Sequence, residues 1–169
     1  MFKGIANYLT RSTIAAQNLK RQKQFLSWEK VFIIALIIDE KAAVNKSELD
    51  KFIEGTKKYI EVFYVELNSK QSTFSDWKCL TKKEKTIFNL PKVSFLNEVK
   101  EKKYDLVINV SQLQQVFTAN LVSQLNSSFK CGNNNLYDEL DLIIERNESQ
   151  NLISYLKEVV KYLEMIRTK

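Results

Sequence analysis

Histidine is absent from this chain of 169 residues. Imidazole titrates near neutral pH, and it acts as the general base in Ser-His-Asp and Cys-His systems and as a common metal ligand. Its absence excludes those mechanisms. We therefore expect no catalytic residues, and a protein that acts by binding rather than as an enzyme.

Glycine and proline are also scarce, with three copies and one copy, while 44% of the residues are hydrophobic. This composition excludes collagen-like, low-complexity and linker-rich chains and is typical of a folded domain. Residues 39–45 follow the first apolar segment and contain no glycine. A dinucleotide fingerprint or a P-loop needs glycine in that turn so that backbone amides can approach phosphate, so we expect no nucleotide cofactor.

Cysteines and long apolar runs are few. The two cysteines, Cys79 and Cys131, form no CxxC pair, so we expect no metal site and a reduced, cytoplasmic protein. The longest apolar run, residues 31–38, has eight residues, whereas a membrane-spanning helix needs about 20. Polar side chains interrupt residues 5–19, where a signal peptide would be apolar. We expect no transmembrane segment.

Positive charge is concentrated at the amino terminus. The chain carries 26 basic and 20 acidic side chains, a net charge of +6. Residues 1–28 hold five of the basic side chains and none of the acidic ones, which leaves residues 29–169 close to neutral. We therefore divide the chain into a basic arm, residues 1–28, and a domain, residues 29–169.

The arm is predicted to be helical over residues 4–24. Its apolar and small side chains return every three to four residues, which is the spacing of one helical face. These residues are Ile5, Tyr8, Leu9, Ser12, Ala15, Ala16 and Leu19. Because small side chains fill several of these positions, we expect the stripe to dock on a surface without contributing much core.

Segments of strand type alternate with amphipathic segments through the domain. Residues 30–39 form a continuous apolar run, as in a strand covered on both faces. Further strands are predicted at residues 59–67, 86–88, 104–110, 129–132 and 140–145. Helices are predicted with Ser47 as N-cap, around residues 93–99, from a Ser111 cap to residue 125, and over residues 148–167. The alternation predicts a single α/β, Rossmann-like domain with a mostly parallel sheet of five or six strands flanked by helices.

Polar side chains follow the predicted strands at their carboxyl ends. Open α/β sheets bind ligands at that edge, where the strand order reverses. The candidate ligand-binding residues there are Asp39, Asn109, Ser111 and Asn133. A solvated strand end is the alternative interpretation of Asp39, and a turn is the alternative for Asn133.

The arm carries the stronger functional signal. Its candidate RNA-binding residues are Lys3, Arg11, Lys20, Arg21, Lys23 and Trp28. Basic side chains on an acid-free helix can follow a phosphate backbone, while an aromatic ring anchors the helix or stacks on a base. Lysines within residues 78–85 and 100–103 can enlarge the positive surface. The same helix can instead lie on an anionic membrane surface, or pack against its own domain with its charges in solvent.

Several short motifs together resemble a known family. They are Ile37-Ile-Asp-Glu40, Phe74-Ser-Asp-Trp-Lys78, Tyr104-Asp-Leu-Val-Ile108, Phe129-Lys-Cys-Gly132, and the final helix with Tyr155-Leu-Lys and Tyr162-Leu-Glu-Met-Ile166. With the basic amino-terminal helix, they resemble an uncharacterised family of proteins of this length from Bacteroidota (Flavobacteria and relatives). That resemblance implies a lineage and a fold class but no catalytic residues. The Tyr104-Asp-Leu-Val-Ile108 strand is also similar to one in the N-terminal Rossmann-like domain of heptosyltransferase-type glycosyltransferases.

Three functions are compatible with these features. The first is a non-enzymatic, RNA-associated accessory protein, ribosome-associated or ribosomal, whose partners are ribosomal RNA and neighbouring proteins. The second is a degenerate glycosyltransferase-like enzyme or small-ligand-binding protein that uses the carboxyl edge of the sheet. The third is peripheral attachment to a membrane surface through the arm. We favour the first because the charge lies on the arm.

Overall fold

The computed structural model describes residues 2–113, 115–147 and 149–167. Within them, six parallel strands form one sheet. The strands are β1 Ile33–Asp39, β2 Tyr59–Val65, β3 Lys78–Leu80, β4 Lys103–Asn109, β5 Asn126–Gly132 and β6 Leu142–Ile143. Their order across the sheet is β3-β2-β1-β4-β5-β6, which reverses between β1 and β4. This is the doubly wound order of Rossmann-like folds, so the predicted fold class is confirmed.

Helices cover both faces of the sheet. In the described residues they are α1 Phe2–Lys20, α2 Lys46–Thr56, α3 Val93–Lys100, α4 Gln115–Gln124 and α5 Leu152–Glu164. α2 and α5 pack on one face, and α3 and α4 pack on the other. α1 packs against α4. The molecule is therefore a three-layer α/β domain with α1 added outside the α3–α4 layer.

β1 lies at the centre of the sheet and accounts for the continuous apolar run in the sequence. Successive strand residues point to opposite faces. Ile34 and Leu36 belong to the core beneath α2 and α5, whereas Ala35 and Ile37 belong to the core beneath α3 and α4. Both faces are covered, so neither tolerates polar side chains.

One strand was predicted at the wrong place. Residues 86–88 lie in a turn that includes Asn89, whose φ of 57° is left-handed. The third strand is instead β3, which begins the Lys-rich stretch at residues 78–85. Phe74 and Trp77 precede β3 and pack on Tyr64 of β2. Long-range aromatic packing, rather than local strand propensity, stabilises β3.

Two predicted helix caps are wrong. α2 is capped by the side chain of Asn45, which accepts the backbone N–H of Glu48, and not by Ser47. Ser111 does not directly precede α4, whose first described residue is Gln115. It lies two residues beyond the end of β4, and its hydroxyl donates to Oδ1 of Asn109 at 2.6 Å.

α1 docks with a different face from the predicted one. Ala6, Thr10 and Ile14 are buried, and Ile14 packs with Ala119 of α4 and with Tyr137. Small side chains on this face allow α1 to approach α4 closely. The helix ends at Lys20, short of the predicted residue 24, and the following segment is extended.

The predicted docking stripe of α1 faces solvent instead. Tyr8 is 72% exposed and Leu19 is 89% exposed, and Ile5 is nearly half exposed. The hydrophobic repeat correctly predicted that this segment is helical. Its prediction that the apolar side chains pack against the domain is wrong. The outward surface of α1 is therefore unusually apolar for a helix with so many basic residues.

Gly132 brings the ends of β4 and β5 close together. A Cβ atom added at Gly132 would lie 2.2 Å from the carbonyl oxygen of Asn109. Backbone cannot move aside as the end of a flexible side chain can. Glycine at this position therefore permits the close approach of two strand ends at the carboxyl edge of the sheet.

Candidate functional site

The point where the strand order reverses lies between the carboxyl ends of β1 and β4, where folds of this topology bind ligands. Asp39 ends β1 there and is fully buried. Its carboxylate accepts the backbone N–H groups of Gln112 and Leu113, at 2.6 and 2.5 Å, and of Lys41 at 3.2 Å. Backbone N–H groups that precede a helix are the donors that a bound phosphate uses in such folds. Here the protein's own carboxylate binds them.

The other three residues predicted at this edge lie together. Oδ1 of Asn109 accepts both the N–H and the hydroxyl of Ser111, and both residues are buried. The N–H of Asn133 donates to the carbonyl oxygen of Asn109 at 3.1 Å. Oδ1 of Asn133 is buried without a hydrogen-bond partner among the described residues. Most polar groups at the predicted ligand edge thus bond to one another.

A buried ion pair joins the end of α1 to the sheet. Both terminal nitrogens of Arg21 donate to the carboxylate of Asp141, at 2.5 and 2.6 Å, and the Asp141 side chain is only 2% exposed. Nζ of Lys23 lies 3.3 Å from the same carboxylate, and the backbone N–H of Lys130 donates to it. Burial would raise the pKa of Asp141, but Arg21 and the other donors hold it below its ordinary value.

Lys130 of β5 is buried beside this pair. Its Nζ donates to the carbonyl oxygens of Val122 and Ser123, at 2.6 and 3.0 Å, in the last turn of α4. Burial, together with the positive charge of Arg21, lowers the pKa of Lys130 to about 7. A neutral amine has two N–H donors, which matches the two carbonyl groups. Lys130 therefore stabilises the end of α4.

Three of the predicted RNA-binding residues, Lys3, Arg11 and Lys20, are exposed along α1. The guanidinium of Arg11 lies over the ring of Tyr137, 5.7 Å from its centroid. This cation–π contact orients Arg11 while leaving it accessible to solvent.

The other three predicted RNA-binding residues contact the protein itself. Arg21 and Lys23 share the Asp141 carboxylate. Trp28 is half-buried against the core, with Nζ of Lys58 lying 4.6 Å from the ring centroid. Trp28 is therefore positioned to fix the segment that connects α1 to β1.

A polar pocket opens at the end of α1, which we call the basic pocket. Its cations are Lys20, Arg21 and Lys100. Amide and hydroxyl side chains form much of the remaining lining, namely Gln17, Ser123, Gln124, Asn126 and Ser127. No carboxylate is among the lining residues in the described part of the chain. The pocket joins the arm to the Lys-rich stretch at residues 100–103.

The sequence identified the cations of this region but not their partners. Asp141 lies 120 residues from Arg21 along the chain, and nothing local distinguishes it from other surface acids. Lys130 interrupts an apolar strand segment, which was the one available signal of a buried lysine. Lys100 was noted only as part of a Lys-rich stretch.

The remaining features to consider are the two cysteine thiols, possible metal ligands and possible membrane-spanning helices. Burial raises the pKa of both Cys79 and Cys131, which disfavours the reactive thiolate. Within residues 2–113, 115–147 and 149–167, no group of three or more histidine, cysteine or acidic side chains is arranged to hold a metal ion. None of the helices in that part of the chain combines the length and apolar character needed to cross a lipid bilayer.

Asp39→Ala should destabilise the protein by about 3 kcal/mol, because three backbone N–H groups, those of Gln112, Leu113 and Lys41, lose their acceptor. Burial raises the pKa of Asp39, while its N–H donors oppose that shift. Glu40→Ala is the matched control, since Glu40 is exposed and adjacent. Urea unfolding at pH 7 compares the two variants. Equal stabilities would show that the Asp39 carboxylate does not organise this edge.

Lys130→Met should remove a pH-dependent part of the stability. Between about pH 7 and pH 10 the unfolded chain keeps the Lys130 proton while the folded chain has lost it, so the stability of the wild type rises with pH. The free-energy difference between wild type and Lys130→Met should therefore grow by up to roughly 1.4 kcal/mol per pH unit. Urea unfolding at pH 7, 8 and 9 measures it, and a constant difference would contradict a neutral buried amine.

Comparison with known proteins places the whole described domain, including α1, in one family. No curated protein and no solved structure matches the chain. A family model, that of a family of unknown function, matches residues 4–166. The match begins within α1 and continues beyond α5, so α1 is part of the family's shared unit. The chain therefore belongs to the family of unknown function DUF6913.

Proposed function

We propose that this protein is a non-enzymatic, RNA-associated accessory protein that binds the ribosome and contacts RNA phosphates through α1 and the basic pocket. The observation that carries the proposal is the basic pocket itself, where Lys20, Arg21 and Lys100 surround amide and hydroxyl groups. Phosphate oxygens accept hydrogen bonds from all of these donors. The absence of carboxylates among its described lining residues keeps the local potential positive.

The exposed cations of α1 extend the positive surface beyond the pocket. From Lys3 to Lys20 the helix rises about 26 Å, whereas one strand of a B-form duplex carries a phosphate about every 3.4 Å along the duplex axis. Arg11 lies between these two lysines, and no acidic residue occurs on the helix. Nine residues separate Arg11 from Lys20, so these two cations lie on opposite borders of the outward face. A nucleic-acid backbone that crosses the helix can therefore meet them without its sequence being read.

The sequence suggested that Arg21 and Lys23 contact RNA, but in the structure they contact the protein itself. Because both are held near Asp141, they fix the helix and add to the local positive potential. Lys20 and Lys100 are the exposed cations of the pocket and are the primary phosphate contacts in this proposal. The protein thus presents its charges on a fixed surface.

The side chains that a catalytic reaction would require are absent, already hydrogen-bonded or protonated, and this also supports a binding role. The chain contains no imidazole, and Asp39 is bound to backbone N–H groups. Both thiols are held in the protonated form by burial. These observations favour recognition over reaction.

Lys20→Glu combined with Lys100→Glu should weaken binding to ribosomal RNA at least about tenfold, because two phosphate contacts become repulsions. The plot of log affinity against log salt concentration should also become shallower, by about 1.4 to 1.8. Titration of labelled ribosomal RNA over a series of salt concentrations measures both effects. Deleting residues 1–24 is a poorer test, since it also removes the Arg21–Asp141 pair and uncovers Ala119.

The control is the same double charge reversal at Lys51 and Lys157, which are exposed on α2 and α5, across the sheet from α1. It lowers the net charge equally and should leave affinity within about twofold. Sedimentation of native lysates gives the cellular readout. Wild type and control should travel with ribosomes at low salt and leave them at high salt. Wild type that stays in the supernatant at low salt, or a pocket variant that behaves like the control, would refute the proposal.

A second candidate function is attachment to an anionic membrane surface, and the outward face of α1 favours it. Ile5, Tyr8 and Leu19 are exposed there, with Arg11 and Lys20 at the borders. Interfacial helices combine such an apolar face with flanking cations. In that case the protein should float with vesicles containing phosphatidylglycerol but not with pure phosphatidylcholine, and Leu19→Asp should abolish flotation. Recovery of the wild type in the unbound fraction would eliminate this function.

A further inference from the structure

A cavity of about 460 Å³ lies beside the first half of α1, between the start of α4 and the turn at residues 85–91. Lys3, Ala6 and Asn7 of α1 line one side of it. The basic pocket lies at the opposite end of the same helix. The two sites are therefore separate openings on one α1 surface.

The lining of the cavity combines apolar surface with amide groups. The residues that matter for recognition are Phe88, Leu113 and Phe117 among the apolar ones and Asn7, Asn89 and Gln112 among the amides. Oδ1 of Asn7 accepts from Tyr137 and Oδ1 of Asn89 accepts from Lys85, so these two amides mainly offer N–H donors. Gln112 offers a donor and an acceptor side by side, as the edge of a nucleobase does. The faces of a nucleobase pack on aromatic and apolar side chains.

Two contacts hold the walls of the cavity in place. The hydroxyl of Tyr137 donates to Oδ1 of Asn7 at 2.8 Å, which links α1 to the loop after β5. Across the cavity, Asp39 holds the backbone N–H groups of Gln112 and Leu113. Preformed walls reduce the entropy lost when a ligand binds.

Two cations lie at the cavity. Lys3 lines it, and Arg11 lies over the ring of Tyr137, which also lines it. No acidic side chain is among the lining residues in the ranges that the structure describes. The volume suits a single small ligand and is too small for a folded segment of another protein. A ligand with a flat heteroaromatic part and an anionic part matches this lining.

We propose that the cavity binds one unpaired nucleotide, with its base among the apolar and amide side chains and its phosphate near Lys3 and Arg11. This inference rests on the proposed RNA association and names the feature of RNA that it recognises. An unpaired nucleotide of an RNA strand is the ligand we favour, because the cavity opens on the same helix that presents the phosphate-binding cations. A free nucleotide has the same chemistry, so the experiment compares the two sources.

The test uses the full chain with labelled single-stranded RNA 12-mers of each base, a 12-base-pair RNA duplex, and the four free nucleoside monophosphates. Wild type should bind at least one single-stranded 12-mer on the order of tenfold tighter than the duplex. Leu113→Trp fills the cavity from an exposed position and should abolish this preference without weakening duplex binding. Gln112→Ala should reduce the preference several-fold while leaving its backbone bond to Asp39 intact.

Leu136→Trp is the matched control, because Leu136 is also exposed and does not line the cavity. It should keep the wild-type preference. The Lys20→Glu, Lys100→Glu protein separates the two proposals, since it should lose affinity for single-stranded and duplex RNA alike. A Leu113→Trp protein that still prefers single strands would overturn the cavity proposal and leave the phosphate surface standing. Binding of free monophosphates without any preference for single-stranded RNA would overturn the RNA strand as the ligand.

Discussion

The buried ion pair between Arg21 and Asp141 is the contact on which the arrangement of the amino-terminal segment depends. Two opposite charges so far from water are stable only together, because removing either leaves an uncompensated charge at a cost of about 3–5 kcal/mol. The pair fixes the end of α1 beside β5 and β6, and Ile14 fixes its middle against Ala119. The cations of α1 consequently have defined positions relative to α4. The basic segment that the charge distribution set apart in the sequence is part of the surface of the folded domain.

The periodicity of the sequence was sufficient to predict most of the fold, because a parallel sheet covered on both faces requires continuous apolar strands. It could not identify β3, a three-residue strand stabilised by Phe74 and Trp77 packing on a distant strand. It also predicted the wrong inner face for α1, because hydrophobicity was taken to mark the buried side. The buried side is formed by small residues such as Ala6, and its complement on α4 is known only once the chain is folded. The ion-pair partners of the candidate cations depend on tertiary contacts, which the sequence does not show.

The polar groups at the carboxyl edge of the sheet mostly bond to one another, whereas those on the α1 surface line two openings to solvent. At the carboxyl edge, Asp39 binds backbone N–H groups of the connection between β4 and α4. Asn109 and Ser111 likewise bond to each other. On the outer layer, by contrast, polar and positive groups surround two openings. Both proposed activities therefore lie on the helix that was added to the Rossmann-like framework, rather than at the position where that framework ordinarily works.

The sheet ends on both sides in very short strands, three residues in β3 and two in β6. A long open strand at the border of a sheet would present a row of unpaired N–H and C=O groups to which another chain can add a strand. These borders present only a few such groups. The protein should consequently resist edge-to-edge aggregation when many copies are crowded together. Other macromolecules are then expected to recognise it through its side chains, so the specificity of any assembly depends on surface residues and not on shared backbone pairing.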